Sequence, residues 1–189
     1  MFWFKRKPAQ ADPPPPHREF ALGRRTGIAL GSNIGNRIVN LDAGRGAILR
    51  LPGVFVPALV SRVFLTEPVG TAPDTHPFLN AVIEVDFKGK PEALLAALRN
   101  IETSLGRPEH RPKNASRILD LDILYMDGLV LTHENLTIPH PRLHLRRFVL
   151  TPLNDIRPDL VLPGQERPVA ELLESLDDPA AVKLFAGKW

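Results

Sequence analysis

A chain of 189 residues, 43% hydrophobic and 24% charged, can build one ordinary core but is short for a second domain. It has no cysteine, which excludes thiol catalysis, disulfides and Cys-ligated metal centres. A net charge of +3 and a pI of about 9.5 suit an anionic small molecule as well as nucleic acid.

Residues 1–25 pass from an apolar scrap through Lys5-Arg6-Lys7 to Pro13–Pro16. No apolar core follows the charges and the stretch has no serine, so neither a signal peptide nor a transit peptide is predicted. It reads as a disordered, proline-rich leader to a domain spanning 26–189. No run approaches the roughly 20 apolar residues of a membrane helix, and a cysteine-free chain suits a reducing cytosol.

Thr26–Leu30 is a short apolar run ending at Gly31-Ser32-Asn33, a strand followed by a turn. Asn36–Leu51 sets Ile38, Leu41, Ile48 and Leu49 at helical spacing, weakened by Gly44 and Gly46. Val54–Phe64 and Leu79–Phe87 have strand periodicity, with the Pro- and Gly-rich loop Thr66–Pro77 between them. Pro91 opens the clearest helix: Leu94, Leu98, Ile101 and Leu105 form one stripe and Gly106 stops it. A polar loop, Arg107–Ser116, then leads into the strand SRILDLDILY. Gly128 turns that strand towards Leu129–Leu131, its expected hairpin partner, and Phe148–Ile156 and Val169–Leu176 read as helices. Strand, helix, strand, strand, helix, strand is the split βαβ or ferredoxin-like pattern. It predicts an α+β fold, an antiparallel sheet with helices on one face and the other face open to polar chemistry.

In SRILDLDILY, alternation puts Leu119, Leu121, Ile123 and Tyr125 on one face and Ile118, Asp120, Asp122 and Leu124 on the other. Two carboxylates side by side repel, and aspartate is a poor strand former. Alone, the pair reads first as a solvated sheet face. Its flanks shift that reading: Arg107, Arg111, Lys113 and Arg117 precede it, and His140, Arg142, His144, Arg146 and Arg147 follow. Mg²⁺ binds through one or two carboxylates plus substrate phosphates, while arginines neutralise the remaining phosphate charge bidentately. Neither GxxxxGK[ST] nor GxGxxG occurs, so a nucleotide site here is not of the P-loop or Rossmann type. Phe78 beside Asn80, at the end of a polar loop, offers an aromatic face and an amide to a flat heterocycle.

IALGSNIGNR, TEPVG…PFLNAV, RILDLDIL and IPHPRLHLRRFVLTPL occur in that order between Thr26 and Pro163. Together they resemble the 6-hydroxymethyl-7,8-dihydropterin pyrophosphokinases of folate biosynthesis. The resemblance implies a ferredoxin-like fold and transfer of a diphosphate from ATP to the pterin's hydroxymethyl oxygen, releasing AMP. It implies two Mg²⁺ ions held by Asp120 and Asp122, with Arg107 and Arg117 completing the catalytic set. The pterin would lie between Phe78 and Phe148, read by Asn80 and by main-chain groups from Thr66 to Val69. Arg107, Arg117, His140 and Arg146 would hold the phosphates; Glu102, Ile123 (by its backbone) and Thr137 would lie near the nucleotide. The implied partners are ATP and the pterin, with no nucleic acid, membrane or obligate protein partner, in the cytoplasm.

The chain departs from the family pattern at several positions. Ser116 stands where proline usually precedes the arginine of the DxD block, so a looser backbone is expected before Arg117. His110 takes the place of a basic residue, Asn135 and Pro141 of an arginine and a tyrosine, and Asn114 of an aromatic. A ferredoxin-like RNA-binding module would share the basic pI, but its aromatic sheet signature is missing and aromatic content is only 6%. A DxD nucleotidyltransferase would differ in its products, because it would not release AMP and a pterin diphosphate together.

Overall fold

The computed structural model describes residues 23–68, 76–107 and 116–189. Val69, His110, Arg111, Lys113 and Asn114, like residues 1–22, lie outside them.

The apolar runs pair as their spacing requires. β1 (Arg24–Ser32), β4 (Phe78–Phe87) and β5 (Asp120–Met126) form the middle and one edge of a six-stranded antiparallel sheet. β2 (Val54–Val60) and β3 (Val63–Thr66) both pair with β4. The expected single strand Val54–Phe64 is thus broken at Ser61-Arg62, where the Ser61 hydroxyl accepts from Val82 N–H at 2.9 Å. On the far edge, β8 (Val182–Ala186) pairs with β3; its weak alternation gave no strand signal in the sequence.

α1 (Arg37–Leu49) and α2 (Pro91–Ser104) pack on one face of this sheet, burying Leu41, Ile48, Leu94, Leu98 and Ile101 against Ile28, Leu30, Ala81, Ile83, Leu121 and Ile123. Gly44 has a packing reason: a Cβ there would come within 2.8 Å of Leu119. The ferredoxin-like α+β arrangement is as the element order predicts. The second face, however, is only partly open. α3 (Arg147–Ile156) and α4 (Val169–Glu174) cover one end of it, with Val149, Leu150, Leu153, Val169 and Leu172 on Val82, Leu124 and Tyr125.

Tyr125 does not share a face with Leu121 and Ile123 as simple alternation predicts. The pairing with β1 shifts between Gly27 and Ile28, leaving Leu124 as an extra residue in a β-bulge. Leu124 and Tyr125 therefore both join the second face. The Tyr125 ring fills the space over Gly27, where a Cβ would stand 2.2 Å from ring carbon Cε1. Its hydroxyl donates to Glu84 Oε2 at 2.5 Å, and Arg157 reaches the same carboxylate at 2.5–3.0 Å. Burial, then the Glu84 charge, hold the Tyr125 phenol well above its ordinary range, so it stays a donor.

Leu129–Leu131 is not the partner of β5 either. Leu131 instead opens β6 (Leu131–His133), which pairs with β7 (Leu136–Ile138) as a separate ribbon. The chain leaving β7 returns to β5, where His140 N–H donates to the Leu124 carbonyl at 2.8 Å.

Arg157→Met would leave the Glu84 carboxylate, 5% exposed, without its cation. Because Arg157 is itself 31% exposed, the expected cost is about 2–3 kcal/mol, below the range for fully buried pairs. Denaturant unfolding measures it, and a cost within experimental error of zero would show that the pair does not stabilise the fold.

Candidate active site

Register lays out the open part of the second face in rows. Gly31 sits opposite both Asn80 and Asp120, and Ala29 opposite both Val82 and Asp122. The middle strand thus contributes only a hydrogen and a methyl group, and the floor between Asn80 and the two aspartates is a trough. The start of α3 and the segment after β7 wall it in with Arg146, Phe148, Val149 and His140. The resulting cleft is open to solvent.

Asp120 and Asp122 both line this cleft. Burial, followed by the charge of Asp120, raises the Asp122 carboxyl above its usual range, against the pull of His140, Arg117 and Arg146. Arg107 Nη1 lies 3.4 Å from Asp120 Oδ1, and Arg117 Nη1 pairs with Asp120 Oδ2. Arg117 Nε is buried and, among the described residues, has no hydrogen-bond partner. It is a charged donor ready for an anion. Arg146 stands 5.4 Å from the Phe148 ring centroid, joining the cationic wall to the aromatic one. His140 Nδ1 accepts from the Arg142 N–H at 3.1 Å, and burial lowers its proton affinity. In the neutral ring the proton therefore sits on Nε2.

Of the residues singled out in the sequence, Asn80, Asp120, Asp122, His140, Arg146 and Phe148 meet in the cleft, with Arg107 and Arg117 on Asp120. Phe78 lies two residues before Asn80 on the same face of β4, half-buried. Thr66 is buried beside Asn80, whose Nδ2 donates to its hydroxyl at 2.8 Å, so its side chain orients the amide. Glu102 and Ile123 do not line the cleft. Glu102, 2% exposed, accepts from Leu121 N–H at 2.8 Å and pairs with Arg107, bracing β5 between its two aspartates from behind. Burial pushes its carboxyl above the usual range, opposed by those two partners. Ile123 turns its side chain into the core, leaving only its backbone for a ligand, and Thr137 stands on β7.

Sequence reading missed Asn33. It is 1% exposed and holds Arg117: its Oδ1 accepts from Arg117 N–H at 2.6 Å, and its Nδ2 donates to Ser116 Oγ at 3.1 Å. Ser116 is accordingly not a loose joint, because its hydroxyl is engaged where a proline ring would only restrict φ. The signal was present in GSN, a strand end followed by an amide, but its partner lies 84 residues away.

An antiparallel α+β sheet of ferredoxin-like class, with paired carboxylates among arginines in a cleft walled by an aromatic, is a nucleotide- or phosphate-handling architecture. The chain belongs to the 7,8-dihydro-6-hydroxymethylpterin pyrophosphokinase family, whose model matches residues 27–158. It is 37% identical over 157 residues to the 2-amino-4-hydroxy-6-hydroxymethyldihydropteridine pyrophosphokinase of Haemophilus influenzae, covering 83% of this chain and 96% of that one. The enzyme of the same description from Pseudomonas aeruginosa is 39% identical over 150 residues, covering 79% and 90%. The solved Plasmodium falciparum HPPK-DHPS with pteroate shares the fold, with a TM-score of 0.63 at 13% identity. That match covers 80% of this chain and only 44% of the Plasmodium chain.

Glu102→Gln keeps an acceptor for Leu121 N–H but removes the charge facing Arg107. Turnover is expected to fall about tenfold, the lower end for groups that orient a site's ligands. A thermal midpoint within about 4 °C of the parent would separate this loss from unfolding. Undiminished turnover would mean that Glu102 only fills space.

Proposed function

We propose that this chain transfers the diphosphate of ATP to the hydroxymethyl oxygen of 6-hydroxymethyl-7,8-dihydropterin, releasing AMP, in the cleft over Gly31 and Ala29. One observation carries the residue assignments: Asp120 and Asp122 share a strand face beside Arg107, Arg117 and Arg146, and Arg117 Nε is a buried donor without a described partner.

Among the described residues no three His, Asp or Glu side chains gather into a self-sufficient cage for a cation. Two carboxylates alone fit an ion whose shell is completed by phosphate oxygens and water, as Mg²⁺ prefers. Asp120 and Asp122 would hold two such ions, which when bound would neutralise charge on the polyphosphate and polarise the attacking oxygen.

The chain's own groups position the reactants. Arg107 and Arg117, which neutralise Asp120 in the free protein, are placed to turn to the triphosphate. His140 donates from Nε2 to a phosphate oxygen, and Arg146 adds charge beside it. Phe148 and Phe78 stack on the two pterin faces while Asn80, oriented by Thr66, reads the amide-like edge. No side chain in the cleft stands out as a dedicated base, so the rate comes from holding the hydroxymethyl oxygen in line with the β-phosphorus.

The decisive assay supplies Mg²⁺–ATP and the hydroxymethyl dihydropterin and resolves the nucleotides formed. AMP in step with a pterin diphosphate is expected; stoichiometric ADP would refute the assignment. Asp122→Asn is expected to lower turnover at least about a hundredfold while the protein stays folded. Normal turnover of that variant at limiting Mg²⁺ would remove the metal role. For Phe148→Ala, pterin binding should weaken about 10- to 100-fold with ATP binding near the parental value, as lost stacking dictates. Calorimetry that finds the reverse pattern would contradict the sandwich.

A further inference from the structure

The turn after β1 touches both segments that carry substrate-facing residues. Asn33 takes the Arg117 N–H on Oδ1 at 2.6 Å and gives its own N–H to the Arg117 carbonyl at 3.0 Å. Its Nδ2 is shared between Ser116 Oγ at 3.1 Å and the His76 carbonyl at 3.4 Å. Four residues on, Arg37 Nη1 donates to the Pro77 carbonyl at 2.7 Å, immediately before Phe78. One buried amide therefore fixes the backbone that aims Arg117 at Asp120 and also braces the backbone that leads to Phe78 and Asn80.

We propose that Asn33 is a positioning residue for the transfer, setting the distance between the phosphate-binding arginine and the aromatic wall of the heterocycle site, with Arg37 securing the second arm. This rests on the assignment of Arg117 to phosphate and Phe78 to pterin. Position 33 calls for a particular set of donors and acceptors. An amide has an acceptor and two donors on one planar group, and all are used here on main chain or hydroxyl groups of segments far apart in sequence. A hydroxyl or an aliphatic group at position 33 could not satisfy both arms, and a misplacement of about 1 Å at either costs about a hundredfold in rate.

The two arms can be separated by substitution. Asn33→Ala loses both: binding of a non-hydrolysable ATP analogue and of the pterin should each weaken, and kcat should fall about a hundredfold. Asn33→Asp keeps an acceptor for Arg117 N–H but opposes a carboxylate to the His76 carbonyl. It should restore the nucleotide affinity and the slow amide exchange of Arg117, while pterin affinity stays low. Should Asn33→Ala fail to fold, Ser116→Ala and Arg37→Met test the arms singly. The first should weaken nucleotide binding, the second pterin binding, each about 2- to 10-fold. Equal losses for both ligands in Asn33→Asp, or parental affinities in the single-arm variants, would overturn the proposal. Binding of each ligand is read without turnover, so a parental protein that forms ADP would refute the transfer assignment and leave this test decisive on its own terms.

Discussion

Asp120 and Asp122 repel each other across two residues of one strand face, and the surroundings are organised about that repulsion. Arg107 and Arg117 bear on Asp120, Glu102 anchors the backbone between the pair through Leu121 N–H, and burial raises Asp122. A sheet with no ligand to offer would gain by replacing either carboxylate. Keeping both, with a buried Arg117 donor that has no partner among the described residues, makes sense where a cation and an anionic substrate arrive together.

The rest of the fold places those two carboxylates at the bottom of a trough. β1 contributes Gly31 and Ala29 between the aspartates and β4, so the strand that is central to the core is the thinnest at the site. α1 and α2 close the opposite face and carry the bulk of the apolar burial, which holds the sheet rigid beneath the chemistry. α3 supplies Phe148 from its first turn, and its far end is pinned to the sheet by Arg157 on Glu84, the carboxylate that also accepts from the Tyr125 hydroxyl. That clasp sits one row beyond the cleft floor, where Gly27 separates Glu84 from Tyr125. The buried Glu84 ion pair and the ion pairs of Asp120 in the cleft are thus spaced along the same face by the period of the strand.

Sequence reading performed best where local periodicity and local chemistry coincide. The stripe of α2, the alternation of β4 and the DxD strand were legible because each is stated by residues within one element. It failed where a long-range contact overrules local pattern. Tyr125 left its predicted face because a bulge against β1 inserted Leu124, and nothing within DILYM encodes the partner's register. Leu129–Leu131 looked like the return arm of β5, but the outer edge of that strand is taken by His140 N–H, 16 residues beyond Leu124. β8 was invisible because its residues alternate weakly and gain their pairing only from β3.

The sequence alone determined the chemistry: which carboxylates share a face, which arginines crowd them, which aromatics flank an amide, and which family those four blocks belong to. These are properties of residue type and short spacing, which survive without knowledge of the fold. The tertiary structure decided the roles that depend on direction. It sent Glu102 behind the strand rather than into the cleft and made Thr66 a partner of Asn80. It also gave Ser116 a hydrogen bond where a ring was missing, and brought Asn33 to Arg117. A hydrogen bond spanning some 80 residues costs the chain little extra closure entropy once the sheet has formed. It leaves no trace in the spacing of either end, which is why only the folded chain reveals it.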